Sequence, residues 1–273
     1  MTAVGGGAAR VRVVADPEEL AETAARAALA DLEAAVDAHE TCTWVLAGGT
    51  TPMATYRRLA AHDLRSAVEW GRVRVAMGDE RCVPAGDPES NWGQAAAALL
   101  DHVPLGDDQR LPIRGELGAE AAAAAYEAAL RRLPRAPHGG GGELSAIGRE
   151  EPPPTRRGEP PAAPRLEVVW LGVGPDGHCL SLFPGRPEVE VRDRLVVPVH
   201  KAPKPPPDRV SLTLAALTGV ERLVVLAAGA GKAEAVARAR AGERDLPVTR
   251  AVMTVEAAGG TVTWLLDRAA AGG

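Results

Sequence analysis

The sequence predicts an α/β fold, a doubly wound, mainly parallel, Rossmann-like sheet with helices on both faces. Three observations carry this. Short runs rich in Val and Leu alternate with Ala-rich stretches of helical period, and strands that alternate with helices build parallel sheets. Three of the runs end directly in polar, glycine-bearing loops, where ligands sit in such sheets. The 273 residues are 46% hydrophobic and contain no internal repeat, which is enough for one large core. A single domain is expected over about residues 10–270.

The elements follow in order. Val11 to Val14 is a β-branched run. Asp16-Pro17 reads as an N-cap followed by a first-turn proline. The helix it opens runs to about Ala38, with Leu20, Ala24, Ala27, Ala28 and Leu32 on one face. Cys42 to Leu46 is an apolar strand that ends in Ala47-Gly48-Gly49-Thr50-Thr51-Pro52, and a helix bearing Tyr56 and Leu59 follows. Val73 to Met77 is a strand that ends in Gly78-Asp79-Glu80-Arg81. Ser90 suits the cap of a helix from Asn91 to His102, and Glu116 to Leu133 has the composition of another. Pro134 to Arg165 breaks the pattern with a glycine run at 139–142 and repeated prolines, and it reads as a flexible surface insertion. Leu166 to Leu171, Leu195 to Val199, Arg222 to Ala227 and Thr261 to Leu266 are further strands, and Lys232 to Ala241 is helical.

Composition excludes several classes. A formal net charge of -5 argues against nucleic acid and anionic membranes as partners, since both demand basic surface. No run reaches the ~18 apolar residues of a membrane span, and Met1 to Ala9 lacks the basic and apolar regions of a signal peptide. The three cysteines, Cys42, Cys82 and Cys179, have no metal-ligand spacing. They fit a reducing, cytoplasmic setting.

Four segments carry chemistry. In Leu46 to Pro52, Gly48 and Gly49 permit close backbone approach, and the N–H groups at the next helix start, with Thr50 and Thr51, suit a phosphate. The same loop also reads as an ordinary tight turn. In Gly78 to Pro84, Arg81 can fork onto an anion while Asp79 or Glu80 orients it, although an isolated Asp-Glu-Arg is also a common solvated turn. Gly172 to Gly185 has GxGxxG spacing after a strand. Pro175 within it and Pro184-Gly185 after it leave no long helix, so the dinucleotide reading fails. What remains there is Asp176 two residues before His178, a carboxylate able to set the tautomer of a histidine base. A hydrogen-bonded loop histidine is the bland alternative. Finally, Arg209 and Lys232, the latter in Gly229-Ala-Gly-Lys, are candidate phosphate partners or plain surface cations. The latter segment is not a P-loop, because Leu226 stands at the leading glycine and Ala233 at the Ser/Thr position. No GxSxG or HExxH motif occurs, so neither a serine nucleophile nor a metal is implied.

Taken in order, LAGGTTPMATY, GDERCVP with Ser90-Asn91-Trp92, LGVGPDGHCLSLFPG, Arg209-Val-Ser-Leu-Thr and Gly229-Ala-Gly-Lys232 resemble the 6-phosphogluconolactonase family. The resemblance spans Val11 to Ala270 outside the Pro/Gly insertion. It implies a sugar-phosphate isomerase-like fold and hydrolysis of 6-phospho-D-glucono-1,5-lactone to 6-phospho-D-gluconate in the oxidative pentose phosphate pathway. No cofactor or metal is implied, and glucose-6-phosphate dehydrogenase would be a pathway neighbour only. Under it, His178 activates water and Asp176 orients His178. Gly48, Gly49, Thr50, Thr51, Asp79, Arg81, Arg209 and Lys232 hold the substrate and its phosphate. The related glucosamine-6-phosphate deaminases usually carry an aromatic residue where Arg81 stands and Asn-Glu-Pro after the histidine, where this chain has Ser181-Leu182-Phe183-Pro184. The alternatives are thus a deaminase/isomerase, or a non-catalytic sugar-phosphate sensor that keeps the anion loop.

Overall fold

The computed structural model describes residues 9–136 and 161–273. Its strands are β1 (Arg10–Val14), β2 (Cys42–Leu46), β3 (Val73–Met77), β4 (Asp79–Arg81), β5 (Arg110–Leu111), β6 (Leu166–Gly172), β7 (Val196–Val199), β8 (Arg209–Leu212), β9 (Val220–Ala227) and β10 (Thr261–Asp267). Its α-helices are α1 (Pro17–His39), α2 (Thr50–Leu59), α3 (His62–Arg65), α4 (Asn91–Ala98), α5 (Ala119–Leu130), α6 (Ala233–Arg240) and α7 (Pro247–Ala257).

Seven strands form one sheet in the order β1-β10-β9-β6-β2-β3-β5, and every pairing in it is parallel. From β2 the chain winds outward through β3 to β5. From β6 it winds the other way through β9 to β10. The reversal falls between β2 and β6, which are paired at Trp44↔Val168 and Val45↔Val169. A crevice opens at the carboxyl ends of strands at such a point, so the loops after Leu46 and Gly172 are brought side by side. Side chains alternate between the two faces of a strand, and all of Cys42–Leu46 and Leu166–Leu171 are buried. Both faces are therefore covered. α1 packs on β2, β6 and β10, and α7 on β9 and β10.

The sequence reading assigned one expected strand to the wrong sheet. Leu195 to Val199, expected as a strand of the mainly parallel sheet, contains β7 of a separate antiparallel sheet, β4-β8-β7. Gly78 joins the two sheets. Its N–H donates to Leu46 O at 2.9 Å, and its carbonyl accepts from Leu212 N at 2.9 Å. The chain thus leaves β3 and at once pairs with β8, Asp79 opposite Ser211 and Arg81 opposite Arg209. α5 covers β7 and β8. The α4 helix ends at Ala98 and not at His102, because a 3₁₀ turn over Leu100–His102 completes the stretch.

Two devices fix the strand ends that feed the crevice. The chain has two tyrosines, and both are buried hooks. Tyr56 of α2 donates to Ala47 O and accepts from Ala47 N, each at 3.0 Å. Tyr126 of α5 donates to Met77 O at 2.6 Å and accepts from Met77 N at 3.1 Å. Burial pushes both phenols well above their ordinary range, so each stays a neutral donor. The Tyr56 ring is stacked on Trp170 at 5.7 Å, and Trp170 meets Trp44 edge-on at 5.1 Å.

The ends of the expected 134–165 insertion are paired. Ala136 N donates to Ala163 O at 3.1 Å and Arg165 N to Pro134 O at 2.7 Å. The remainder, 137–160, lies outside the described residues. Among the described residues no helix is long and apolar enough to cross a membrane.

Candidate active site

The first wall of the crevice is the turn between β2 and α2. Gly49 takes φ 101°, a conformation suited to glycine, and it starts the helix without a side-chain cap. The first N–H groups of α2 are thus open to an anion. Gly48 is required for a different reason. A Cβ there would lie 2.1 Å from Asn91 Oδ1 and 2.4 Å from its Cγ, so only glycine lets the amide lie against the loop.

The second wall begins at β4. Glu80 is buried, at 1% exposure, and it accepts from Arg81 N (2.8 Å), Asn91 N (2.7 Å), Trp92 N (2.7 Å) and Ser90 Oγ (2.9 Å). Burial raises its carboxyl above the ordinary range, against the pull of these donors. The carboxylate sits at the start of α4, where the helix dipole favours it, and its task is to hold α4 to β4. Asp79 accepts from Ser181 Oγ at 2.6 Å. Its backbone carbonyl accepts from Asn91 Nδ2 at 2.9 Å, which settles the orientation of the Asn91 amide. Arg81 donates one Nη to Glu89 O at 2.5 Å, while its buried Nε has no partner among the described residues.

The third wall is the loop after β6. It folds into a tight turn, with Gly177 N donating to Gly174 O (2.9 Å) and Gly174 N to His178 O (2.8 Å). The turn brings Asp176 Oδ1 into a hydrogen bond with His178 Nδ1. A Cβ on Gly174 would lie 1.9 Å from His178 Nδ1 and 2.5 Å from Asp176 Oδ1, so the pair occupies space that only glycine leaves free. With Nδ1 bound to the carboxylate, Nε2 is the free edge of the ring. Burial holds the imidazole below its usual proton affinity, against the opposite pull of Asp176. Burial thus favours the neutral ring, the form that can accept a proton. Asp176 is also lowered: the hydrogen bond and charge of His178, with the charge of Lys204, outweigh its own burial. Phe183 supports the ring from one side, centroid to centroid 4.7 Å.

These walls enclose a cavity of about 210 Å³, below the roughly 300–1,000 Å³ of drug-sized sites and suited to a monosaccharide-sized ligand. Of the residues singled out from sequence, Gly48, Gly49, Asp79, Arg81, His178, Arg209 and Lys232 line it. Asp176 stands behind His178, away from the lining. Thr50 and Thr51 lie in the first turn of α2 outside the lining. Arg209 is 5% exposed. It lies over the Phe183 ring at 5.7 Å, and burial lowers its proton affinity.

Two polar lining side chains, Asn91 and Lys204, had no assigned role. Asn91 was read as part of a Ser-Asn helix start and of the motif that carries the family resemblance, and its position against Gly48 depends on a fold-level contact. Lys204 was missed entirely. Its signal was its place in Lys201-Ala-Pro-Lys204-Pro-Pro-Pro just before Arg209. Among the described residues no group of three or more His, Cys, Asp or Glu is gathered as a metal site.

Comparison with known proteins agrees with this architecture. The family model described as glucosamine-6-phosphate isomerases/6-phosphogluconolactonase matches residues 15–264. The 6-phosphogluconolactonase of Streptomyces coelicolor is 38% identical over 264 residues, which are 94% of this chain and 91% of that protein. That of Mycobacterium tuberculosis is 38% identical over 267 residues, 96% of each. The solved 6-phosphogluconolactonase of Trypanosoma brucei superposes with a TM-score of 0.79 at 30% identity, covering 97% of this chain and 98% of the other. This chain belongs to the glucosamine-6-phosphate isomerase/6-phosphogluconolactonase family.

Proposed function

We propose that this protein hydrolyses 6-phospho-D-glucono-1,5-lactone to 6-phospho-D-gluconate, the lactonase step of the oxidative pentose phosphate pathway, with residues 10–270 acting as one domain. The observation that carries the reading is the juxtaposition of a carboxylate-bound imidazole with Arg81, Lys232 and the Gly48-Gly49 turn around one cavity. The substrate needs both ends served, a phosphate to be anchored and an acyl carbon to be attacked. Arg81, a residue that a deaminase would usually replace with an aromatic one, favours the lactonase over its relatives.

In this mechanism the phosphate rests on the free N–H groups at the start of α2, flanked by Thr50 and Thr51. Arg81 and Lys232 neutralise it, and the charge of Arg209 adds to the same wall. Anchoring that end removes much of the entropy cost of reaching attack geometry. Asp79, held by Ser181 and Asn91, is placed to accept from a sugar hydroxyl. His178 Nε2 takes a proton from water as its oxygen bonds to C1. The carbonyl π pair moves onto the carbonyl oxygen, and a tetrahedral intermediate forms. Asp176 keeps the Nδ1 proton in place and stabilises the imidazolium. Collapse re-forms the C=O bond and breaks the bond from C1 to the ring oxygen, which takes the proton back from Nε2. The acid product then ionises.

The test is a direct assay. Lactone is generated with glucose-6-phosphate dehydrogenase, and its decay is followed with spontaneous opening subtracted. The wild-type chain is expected to accelerate decay. His178→Ala, folded, is expected to lose about 10²–10⁴-fold in kcat. A folded His178→Ala at the wild-type rate refutes the base. Ammonia release from glucosamine 6-phosphate without lactone hydrolysis refutes the reaction.

A further inference from the structure

Gly177, the third glycine of the GxGxxG-like run, stands between Asp176 and His178 and is fastened from outside its own loop. It takes φ 79°, and a Cβ there would lie 2.7 Å from Leu246 Cδ2. Leu246 is buried and immediately precedes α7. The carbonyl of Gly177 accepts from Val248 N at 3.1 Å. Over residues 174–178 this is the one backbone hydrogen bond to another element among the described residues. The other two, Gly177 N to Gly174 O and Gly174 N to His178 O, close the turn on itself.

The donor is available because of its place in the helix. The first N–H groups of a helix have no partner within it. Pro247 opens α7 and has no N–H, and Arg250 N is already bonded to Leu246 O at 3.2 Å. Val248 N is left over, and it goes to the turn. Val248 is fully buried, so water does not compete for the bond. Farther along α7, Arg250 Nη2 lies 2.8 Å from Glu190 Oε2, but Glu190 is largely exposed and such a pair holds little. The brace is the helix start. Asp176 and His178 flank the braced peptide and bind each other. A shift of Gly177 would therefore carry the pair along intact and move Nε2 relative to the cavity. His178 lines that cavity, while Leu246 and Val248 stand outside it. A base must be within hydrogen-bond reach of the proton it takes, and a misplacement of about 1 Å can cost about 10²-fold.

We propose that the start of α7 sets the place of the base: the Val248 N–H and the Leu246 side chain hold Gly177, and through it His178, so that both are positioning residues. The inference rests on the lactonase reading for its kinetic readout but not for its geometry. Val248→Pro removes the donor in a first turn, where a helix tolerates proline. It is expected to lower kcat by about 10–10²-fold and to leave KM for the phosphorylated lactone within about twofold, since Arg81 and Lys232 are untouched. Proline also restricts the residue before it, so a second variant is needed. Leu246→Ala keeps the donor and empties the space beneath Gly177, and it is expected to lower kcat by about threefold or more at the same KM. Val255→Ala is the control. Val255 is also buried in α7 but packs at Gly260, so its loss should lower Tm without lowering kcat. Folded Val248→Pro and Leu246→Ala at the wild-type kcat would overturn the brace, as would an equal loss of kcat in Val255→Ala. If Val248→Pro does not fold, Leu246→Ala decides alone. A measurement free of turnover separates this from the reaction. The imidazole NMR resonances of His178, identified by their loss in His178→Ala, should shift in Leu246→Ala and stay in place in Val255→Ala. That result supports the brace even if the lactone proves not to be the substrate, and resonances unmoved in Leu246→Ala remove it.

Discussion

At the scale of single residues, the Asp176–His178 pair depends on an atom that is absent. Gly174 is needed because His178 and Asp176 fill the space where its Cβ would be. The sequence placed that glycine in a GxGxxG-like run, and the spacing alone suggested a dinucleotide. Its actual task, making room for an imidazole, becomes visible only when the loop is folded. Gly174→Ala is expected to displace the ring, lowering kcat toward that of His178→Ala while KM for the phosphorylated lactone changes little. A wild-type kcat in a folded Gly174→Ala variant would contradict the packing argument. The pair also sets a pH dependence. Burial lowers the affinity of His178 for a proton, so the acid limb of kcat/KM should lie below 6.5. Asp176 raises that affinity through its hydrogen bond and charge. Asp176→Asn should therefore move the acid limb to still lower pH, with a reduced plateau because the tautomer is no longer fixed. A shift of the limb to higher pH would mean that His178 is not the titrating base.

At the scale of elements, what could be read in advance was whatever local pattern dictates. The β2, β3, β6, β9 and β10 strands are Val- and Leu-rich runs next to glycine loops, and α1 announces itself through Asp16, whose side chain accepts from Glu18 N and Glu19 N. The β4-β8-β7 sheet was not legible, because β4 is a charged Asp-Glu-Arg triplet whose strand character comes from its partner Arg209-Val-Ser-Leu. Nor was α7, which begins at Pro247 without a side-chain cap. Lys204 was hidden for the same reason, since its position depends on contacts from β8 and α5. Those contacts can be tested at the base of the loop. His200 sits between Glu120 and Asp208, and these two carboxylates raise its proton affinity above 6.5, Asp208 first. A raised folded-state value means that the stabilisation is complete below the unfolded value and fades as pH rises through the folded one. Wild type should therefore exceed His200→Gln in Tm at mildly acidic pH, with the gap closing in alkali. The site is largely exposed, so the gap should be small. A gap that widens with pH would refute the ion-pair clasp.

At the scale of the whole molecule, the parallel sheet divides the protein into two ends with separate duties. The cavity is built where β2, β3 and β6 finish, and the additional 137–160 segment enters where β6 begins. The β6 strand is seven residues long from Leu166 to Gly172, roughly 20 Å at the rise of a strand. The chain on either side of the segment is already joined by hydrogen bonds from Ala136 to Ala163 and from Arg165 to Pro134, so a short turn can connect the two arms. Loops at the amino ends of parallel strands bear on stability, while chemistry gathers at the carboxyl ends. Replacing residues 137–160 by a short Gly-Asn turn is therefore expected to leave kcat and KM for the phosphorylated lactone within about twofold, because every lining residue named above belongs to the rest of the chain, and to leave Tm equal or slightly higher, since a shorter connection costs less closure entropy. Steady-state kinetics and thermal unfolding of the shortened chain check both. A folded, shortened protein that has lost turnover would mean that the segment reaches around the sheet to the cavity, and the division of the molecule into a structural end and a chemical end would fail.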